Sequence, residues 1–270
     1  YTADEKNLKL AIFSELSGAS SETYYKKYLQ STANEENKKL VAIELVQKAK
    51  NKEQEIAKHS AILEKDPETL ANLLAESYSA QESAAIAKKI SQSATLKQTA
   101  SGKLVLRTIF LKELSQVADK ISKHQLDSSN DKKLVSSIKA RKAILDQVEA
   151  MAQKAIESAD WTTQLVTLNL LSKQSERFYN DVISAPLPKG LTPEEESQYL
   201  ALLSAQAMPY KNKAVEAQMK VDEFWKTPNW KSEFQKALSK TSTRRLFEIE
   251  VKSISEIAAA DIQSELKTMM

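Results

Sequence analysis

The sequence predicts an all-α fold, with antiparallel helical hairpins stacked in a row, and three observations carry that prediction. Ala, Glu, Lys, Leu, Gln and Ser dominate the 270 residues, and most of these have straight or small side chains that lose little rotamer freedom in a helix. Only three glycines occur, Gly18, Gly102 and Gly190, whereas sheets and tight hairpins need many more turn residues. Pro67, Pro186, Pro193 and Pro228 stand where helical patterns stop or restart. At 41% hydrophobic residues, the chain has ample apolar material for one large domain or two smaller ones.

Along the chain, the first helix is expected over Asp4 to Leu16, the second through Tyr24, Tyr25 and Tyr28, and a longer one over Leu40 to Leu63. Asp66-Pro67-Glu68 marks a restart: a side-chain acceptor at the cap, a residue with no N–H to lose in the first turn, and an acid near the positive helix end. A helix through Leu70, Leu73 and Leu74 follows, then one over Ala84 to Ile90. Phe110, Leu114, Val117 and Ile121 form one buried stripe. Asp131 to Ser158 is an unusually long helix with Leu134, Ile138, Leu145, Val148, Ala152 and Ala155 on one face. Arg141 lies between Ile138 and Leu145, where its stem is expected on apolar neighbours and its head in water.

Asp160 or Ser158 caps the next helix, which carries Leu165, Leu168, Leu171, Phe178 and Val182 and ends before Pro186. Thr192-Pro193-Glu194-Glu195 is a capping box with proline in the first turn, opening a helix that Pro209 should kink or break. Restarts near Asp127, Asp160 and Thr192 recur at roughly 32 residues, the period range of tetratricopeptide arrays. The usual Trp, Gly and Pro signature positions are mostly absent, so the pattern reads as a degenerate tetratricopeptide-like α-solenoid. Two regions are expected, shorter helices over residues 1–126 and long helices over 127–270, continuous with one another. The chain begins at Tyr1, not Met, and the stripe of Phe247, Val251, Ile254, Ala258, Ile262 and Leu266 runs almost to Met270 without a stop signal. A piece of a longer protein is therefore expected.

Basic and acidic residues nearly cancel, 39 against 36, so the strong positive field that drives phosphate binding is missing and nucleic acid is not expected as a partner. The early lysines, Lys26 to Lys52, are interleaved with Glu35, Glu36, Glu44, Glu53 and Glu55 and read as a solvated face. No apolar run approaches the roughly 20 residues that span a bilayer. There is no cysteine, which removes disulfides, thiolate nucleophiles and thiolate metal sites.

No catalytic, cofactor or metal residues are expected. His59 and His124 are single residues on separate helices without metal-ligand pairing. Ser129-x-x-Lys132 and Ser136-x-x-Lys139 match a serine–lysine motif formally, but no Lys-Thr-Gly follows. No two glycines lie close enough to cradle a phosphate. The enzyme alternative is a cell-wall-binding or lytic-transglycosylase-like protein, for which Glu76, Glu82 or the Glu194 to Glu196 run could be nominated. The last of these already has a role at a helix N-terminus.

One stretch adds a resemblance. It runs from Asp160-Trp161 through Ser175-Glu176-Arg177-Phe178-Tyr179, the loop Ala185-Pro186-Leu187-Pro188-Lys189-Gly190-Leu191, Pro193 to Glu196, Tyr199 and Pro209-Tyr210. It resembles segments of large tetratricopeptide-type cell-envelope proteins of gliding and predatory bacteria, over residues 158–238. The resemblance implies a periplasmic or envelope-associated scaffold, with no catalytic residues to carry over.

Partner-binding anchors are sought among aromatic and arginine clusters. Tyr24, Tyr25 and Tyr28 occupy more of a short helix than one face can bury, and Trp225, Trp230, Arg244 and Arg245 surround the turn at Pro228. A protein partner is expected at these places, with self-association through the apolar end near Ile262 and Leu266 as a further expectation.

Overall fold

The computed structural model describes the backbone of residues 2–226 and the side chains of the same residues except 224 and 225. Among these the chain is helical throughout, with no strand. It divides into two compact units between Leu106 and Arg107, inside a helix and upstream of the 126/127 boundary expected from helix length.

In the first unit, Thr2 opens α1 (Ala3–Leu16) with a full capping box: its hydroxyl accepts from Glu5 N at 3.4 Å, and its own N–H donates to Glu5 Oε2 at 3.0 Å. Helix α2 (Glu22–Ser31) packs against α1, and α3 (Glu35–Lys48) follows from an Asn34 cap. Ala11, Tyr25, Tyr28, Val41 and Leu45 form their shared core.

The single helix expected over Leu40 to Leu63 is three. Ala49 turns extended (ψ 137°), and the Asn51 side chain accepts from Gln54 N at 3.0 Å to start α4 (Lys52–Lys58), before α5 (Ser60–Leu63). An asparagine whose side chain serves the backbone competes with helix continuation even where the apolar spacing persists.

The Asp66 cap forms as read: it accepts from Thr69 N at 3.1 Å at the head of α6 (Pro67–Ala80), and Lys39 pairs with it at 3.0 Å. Helix α7 (Ala84–Gln92) and a 3-10 turn (Leu96–Gln98) lead into α8 (Ala100–Lys123). Gly102 sits where a Cβ would lie 1.9 Å from the Leu96 carbonyl oxygen, so only glycine lets the turn fold back onto α8.

The second unit holds the rest of α8 with α9 (Asp131–Ser158), α10 (Trp161–Ile183) and α11 (Pro193–Lys226). Asn130 caps α9 through Lys133 N at 2.9 Å, and the stripe anticipated for this helix faces the core. Ala159 takes a left-handed conformation (φ 54°) to reverse the chain, and Asp160 caps α10 through Thr163 N at 2.9 Å. Arg107 locks that corner to α8, its Nε 2.9 Å and its Nη2 2.6 Å from Asp160 Oδ2.

Helix α10 is the centre of the unit, with α9 and α11 packed against it. Against α11 it presents Ser172, whose hydroxyl donates to the Ala214 carbonyl at 2.9 Å, while α11 buries Ala207, Ala214 and Ala217. Small side chains on both helices let the backbones approach closely. Phe178 meets Tyr210 edge-on, with centroids 4.6 Å apart.

The Thr192 box forms as read, and the resulting α11 runs through Pro209 without ending. Pro209 is exposed, so its ring points away from α10 and the lost N–H leaves only the solvent-side ladder short of a donor to Ala205.

Candidate functional site

A cluster of charged groups lies at the C-terminal end of α8. A helix ends with carbonyls that have no intrahelical partner. Here two arginines supply the donors. Arg177, from α10, donates from Nη1 to the Ser122 carbonyl at 3.1 Å and from Nη2 to the His124 carbonyl at 3.2 Å. Arg141, from α9, donates to the same His124 carbonyl and, through Nε, to His124 Nδ1 at 3.1 Å. Asp181 sits within ion-pair distance of both, 3.5 Å from Arg141 Nη1 and 3.8 Å from Arg177 Nε.

Arg141 is 0% exposed, which corrects the expectation that its head reaches water. Its guanidinium instead caps a neighbouring helix. Burial, and then the adjacent Arg177, lower its pKa, and Asp181 opposes that shift. Burial together with the two arginines also lowers the pKa of His124, in keeping with a neutral ring that accepts at Nδ1. A cavity of 360 Å³ opens beside the cluster, lined by Gln125, Leu126, Leu134, Arg177, Asp181 and Pro186 among others. The Arg177 donors that line it are committed to α8 carbonyls, whereas Arg141 Nη1 is buried with no hydrogen bond, 3.5 Å from Asp181; the cluster caps α8 and holds α8, α9 and α10 in register.

The nominated anchors separate. Tyr25 and Tyr28 are buried in the core of the first unit, 6% and 3% exposed, and Tyr24 is half-buried against the same core. Lys48 lies over the Tyr25 ring at 5.5 Å. Burial raises the Tyr25 pKa, with Glu44 adding to it. Trp230, Arg244 and Arg245 lie outside the described residues, as do the side chain of Trp225 and the Ile262 and Leu266 end.

Of the nominated carboxylates, Glu76 is half-buried 3.7 Å from Lys52 and Glu82 is exposed. Glu195 is occupied by the Thr192 cap. The sequence did not single out Glu55, a carboxylate 7% exposed that meets Lys58 at 2.7 Å and His59 at 3.2 Å. Burial pushes its pKa up, but Lys58 and His59 outweigh that and hold it below the ordinary range. A carboxyl held ionised is poorly suited to general-acid work. Among the described residues no group of three or more His, Cys, Asp and Glu side chains is placed to hold a metal ion, and no helix is long and apolar enough to cross a membrane.

Two surfaces expose large apolar side chains. On α1, Ile12, Phe13 and Leu16 are 45%, 68% and 84% exposed while Ala11 and Ser14 face inward. On α11, Leu200, Leu202, Met208, Val215 and Met219 are exposed. The signal for the first was present in the sequence: Leu8, Leu10, Ala11, Ile12, Phe13 and Leu16 make α1 apolar on more than one face. No protein-family model, curated protein or solved structure matches the chain.

Proposed function

We propose that the chain is a non-enzymatic helical-repeat scaffold that mediates protein–protein interaction. The observation that carries this reading is the exposed trio Ile12, Phe13 and Leu16 at one end of α1. Large apolar side chains in a contiguous exposed group mark contact sites, and a Phe flanked by aliphatics suits a partner that offers an apolar helix or groove. Polar residues rim the trio: Lys9 precedes it and Ser17 follows.

One feature supports a degenerate tetratricopeptide-like array. Helices pack mainly on their chain neighbours, α1 on α2, α2 on α3, α9 on α10 and α10 on α11, as in structures built by stacking hairpins. The resemblance over residues 158–238 supports a periplasmic or cell-envelope setting.

The test is capture from envelope and soluble extracts of the source organism, comparing the wild-type chain with the triple variant Ile12→Ser, Phe13→Ser, Leu16→Ser, whose folding is checked by circular dichroism. An envelope or motility protein enriched by the wild type and lost with the triple variant is the expected result. The same proteins held equally by both would remove the α1 surface from the proposal. Recovery of peptidoglycan fragments alone would move the cell-wall alternative ahead.

A further inference from the structure

We infer that the 360 Å³ cavity beside the arginine cluster binds a small monocarboxylic acid with a short apolar body, independently of the α1 surface.

The cluster holds one positive charge in excess. Arg141 and Arg177 share a single carboxylate, Asp181. His124 adds no charge: burial and then the two arginines lower its pKa, which keeps the ring neutral at neutral pH. Asp127, on the adjoining loop, is matched by Lys133 at 3.8 Å. One of the two guanidinium groups, that of Arg141, is fully buried, where solvent ions screen a charge far less than at the surface. One anion in the cavity balances the group.

Hydrogen-bond donors remain for that anion. A guanidinium has five N–H groups. Arg177 lines the cavity and uses Nη1 and Nη2 on the Ser122 and His124 carbonyls, so each of these nitrogens keeps a second hydrogen. Its Nε stands 3.8 Å from Asp181, beyond hydrogen-bond reach. Arg141 Nη1 is buried with no hydrogen bond, and its ion-pair partner Asp181 forms part of the cavity wall. Buried donors without a partner are rare in folded proteins, and each calls for a water, an ion or a ligand. The hydroxyls of Ser128 and Ser184 line the same space as neutral donors.

The rest of the wall narrows the class of ligand. Leu126, Leu134 and Pro186 give the lining an apolar part. A carboxylate matches the planar fork of an arginine and leaves a hydrocarbon tail for these side chains. Ligand pockets begin at about 300 Å³, so a cavity of 360 Å³ suits a small acid and not a nucleotide. Inorganic phosphate brings more than one negative charge and no apolar body.

Isothermal titration of the full chain with sodium hexanoate at neutral pH tests the inference, with sodium butyrate, hexanamide and inorganic phosphate as comparison probes. Hexanoate should bind saturably at one site. It should bind more tightly than butyrate by about fourfold for each of the two extra methylenes, and about tenfold more tightly than hexanamide, which lacks the charge; phosphate should bind more weakly than hexanoate. Ser184→Phe places a ring in the cavity from an exposed lining position and leaves both arginines untouched, so it should abolish binding with the helix content unchanged by circular dichroism. Arg177→Gln should lower hexanoate to the level of hexanamide. Absence of saturable hexanoate binding, or equal binding by the wild type and Ser184→Phe, overturns the inference. Equal affinity for hexanoate and hexanamide also overturns it, because the site then selects the apolar body and not the charge.

Discussion

Arg141 and Arg177 donate to the same atom, the backbone carbonyl oxygen of His124. One comes from α9 and the other from α10, so a single oxygen beyond the end of α8 ties three helices together. Their burial separates them energetically, Arg141 at 0% exposed and the Arg177 side chain at 36%. Replacing Arg141 by Leu strips the His124 ring of its donor and removes a buried cation beside Asp181. The expected cost is about 3 kcal/mol. Arg177→Leu leaves Arg141 on the shared carbonyl and should cost about 1 kcal/mol. Urea unfolding of the two variants checks the order, and equal midpoints would remove the special place given to Arg141.

The same cluster sets a pH dependence. The folded-state pKa of His124 lies below its ordinary value of 6.5, through burial and then the two arginines. Between the two values the unfolded chain binds the proton and the folded chain does not, so the contribution of this residue is present above pH 6.5 and is lost as pH falls below it. His124→Gln keeps an acceptor for Arg141 Nε and cannot titrate. Stability measured at pH 7.5 and 5.5 should therefore fall less for the variant than for the wild type, and equal losses would exclude His124 as the sensor.

What the sequence disclosed follows from the range of each interaction. The caps at Asp66, Asp160 and Thr192 were legible because a cap is made within three residues of the side chain that forms it. The break at Asn51 was masked by apolar residues that keep helical spacing on both sides, from Leu45 and Val46 to Ile56 and Leu63. Arg141 could be placed on the α9 stripe, but the group it caps belongs to α8 and is delivered only by packing. The tyrosines show the same limit: their crowding on α2 was readable, whereas burial of Tyr25 and Tyr28 depends on Ala11, Val41 and Leu45 from other helices. Which apolar side of α1 and α11 stays uncovered is likewise decided by the neighbours each helix finds.

At the α9–α10 corner, Asp160 serves two partners, Thr163 N and the Arg107 guanidinium. Both side chains of the ion pair are well covered, 14% and 16% exposed, and the geometry is bidentate, the arrangement in which such pairs are strongest. Asp160→Asn keeps a cap acceptor but loses the charge, and should cost about 1 to 2 kcal/mol. Asp160→Ala loses the cap as well and should cost about 1 kcal/mol more. A double-mutant cycle with Arg107→Ala isolates the pair. A coupling energy near zero would show that the corner is held by Trp161 and its apolar contacts instead.

Pro209 gives the opposite sign. It interrupts the hydrogen-bond ladder of α11 at Ala205 on the exposed side of the helix, while Ala207 and Ala214 on the buried side pack on α10. Interior proline is the least favourable helical residue, and alanine at an exposed position restores the missing donor without adding volume against α10. Pro209→Ala should therefore raise stability, by about 1 kcal/mol once the loss of proline's restraint on the unfolded chain is set against the gain. Thermal and urea unfolding measure it directly. A destabilised variant would mean that the proline shapes the path by which α11 follows α10, and that the contact of Ser172 with the Ala214 carbonyl depends on that path.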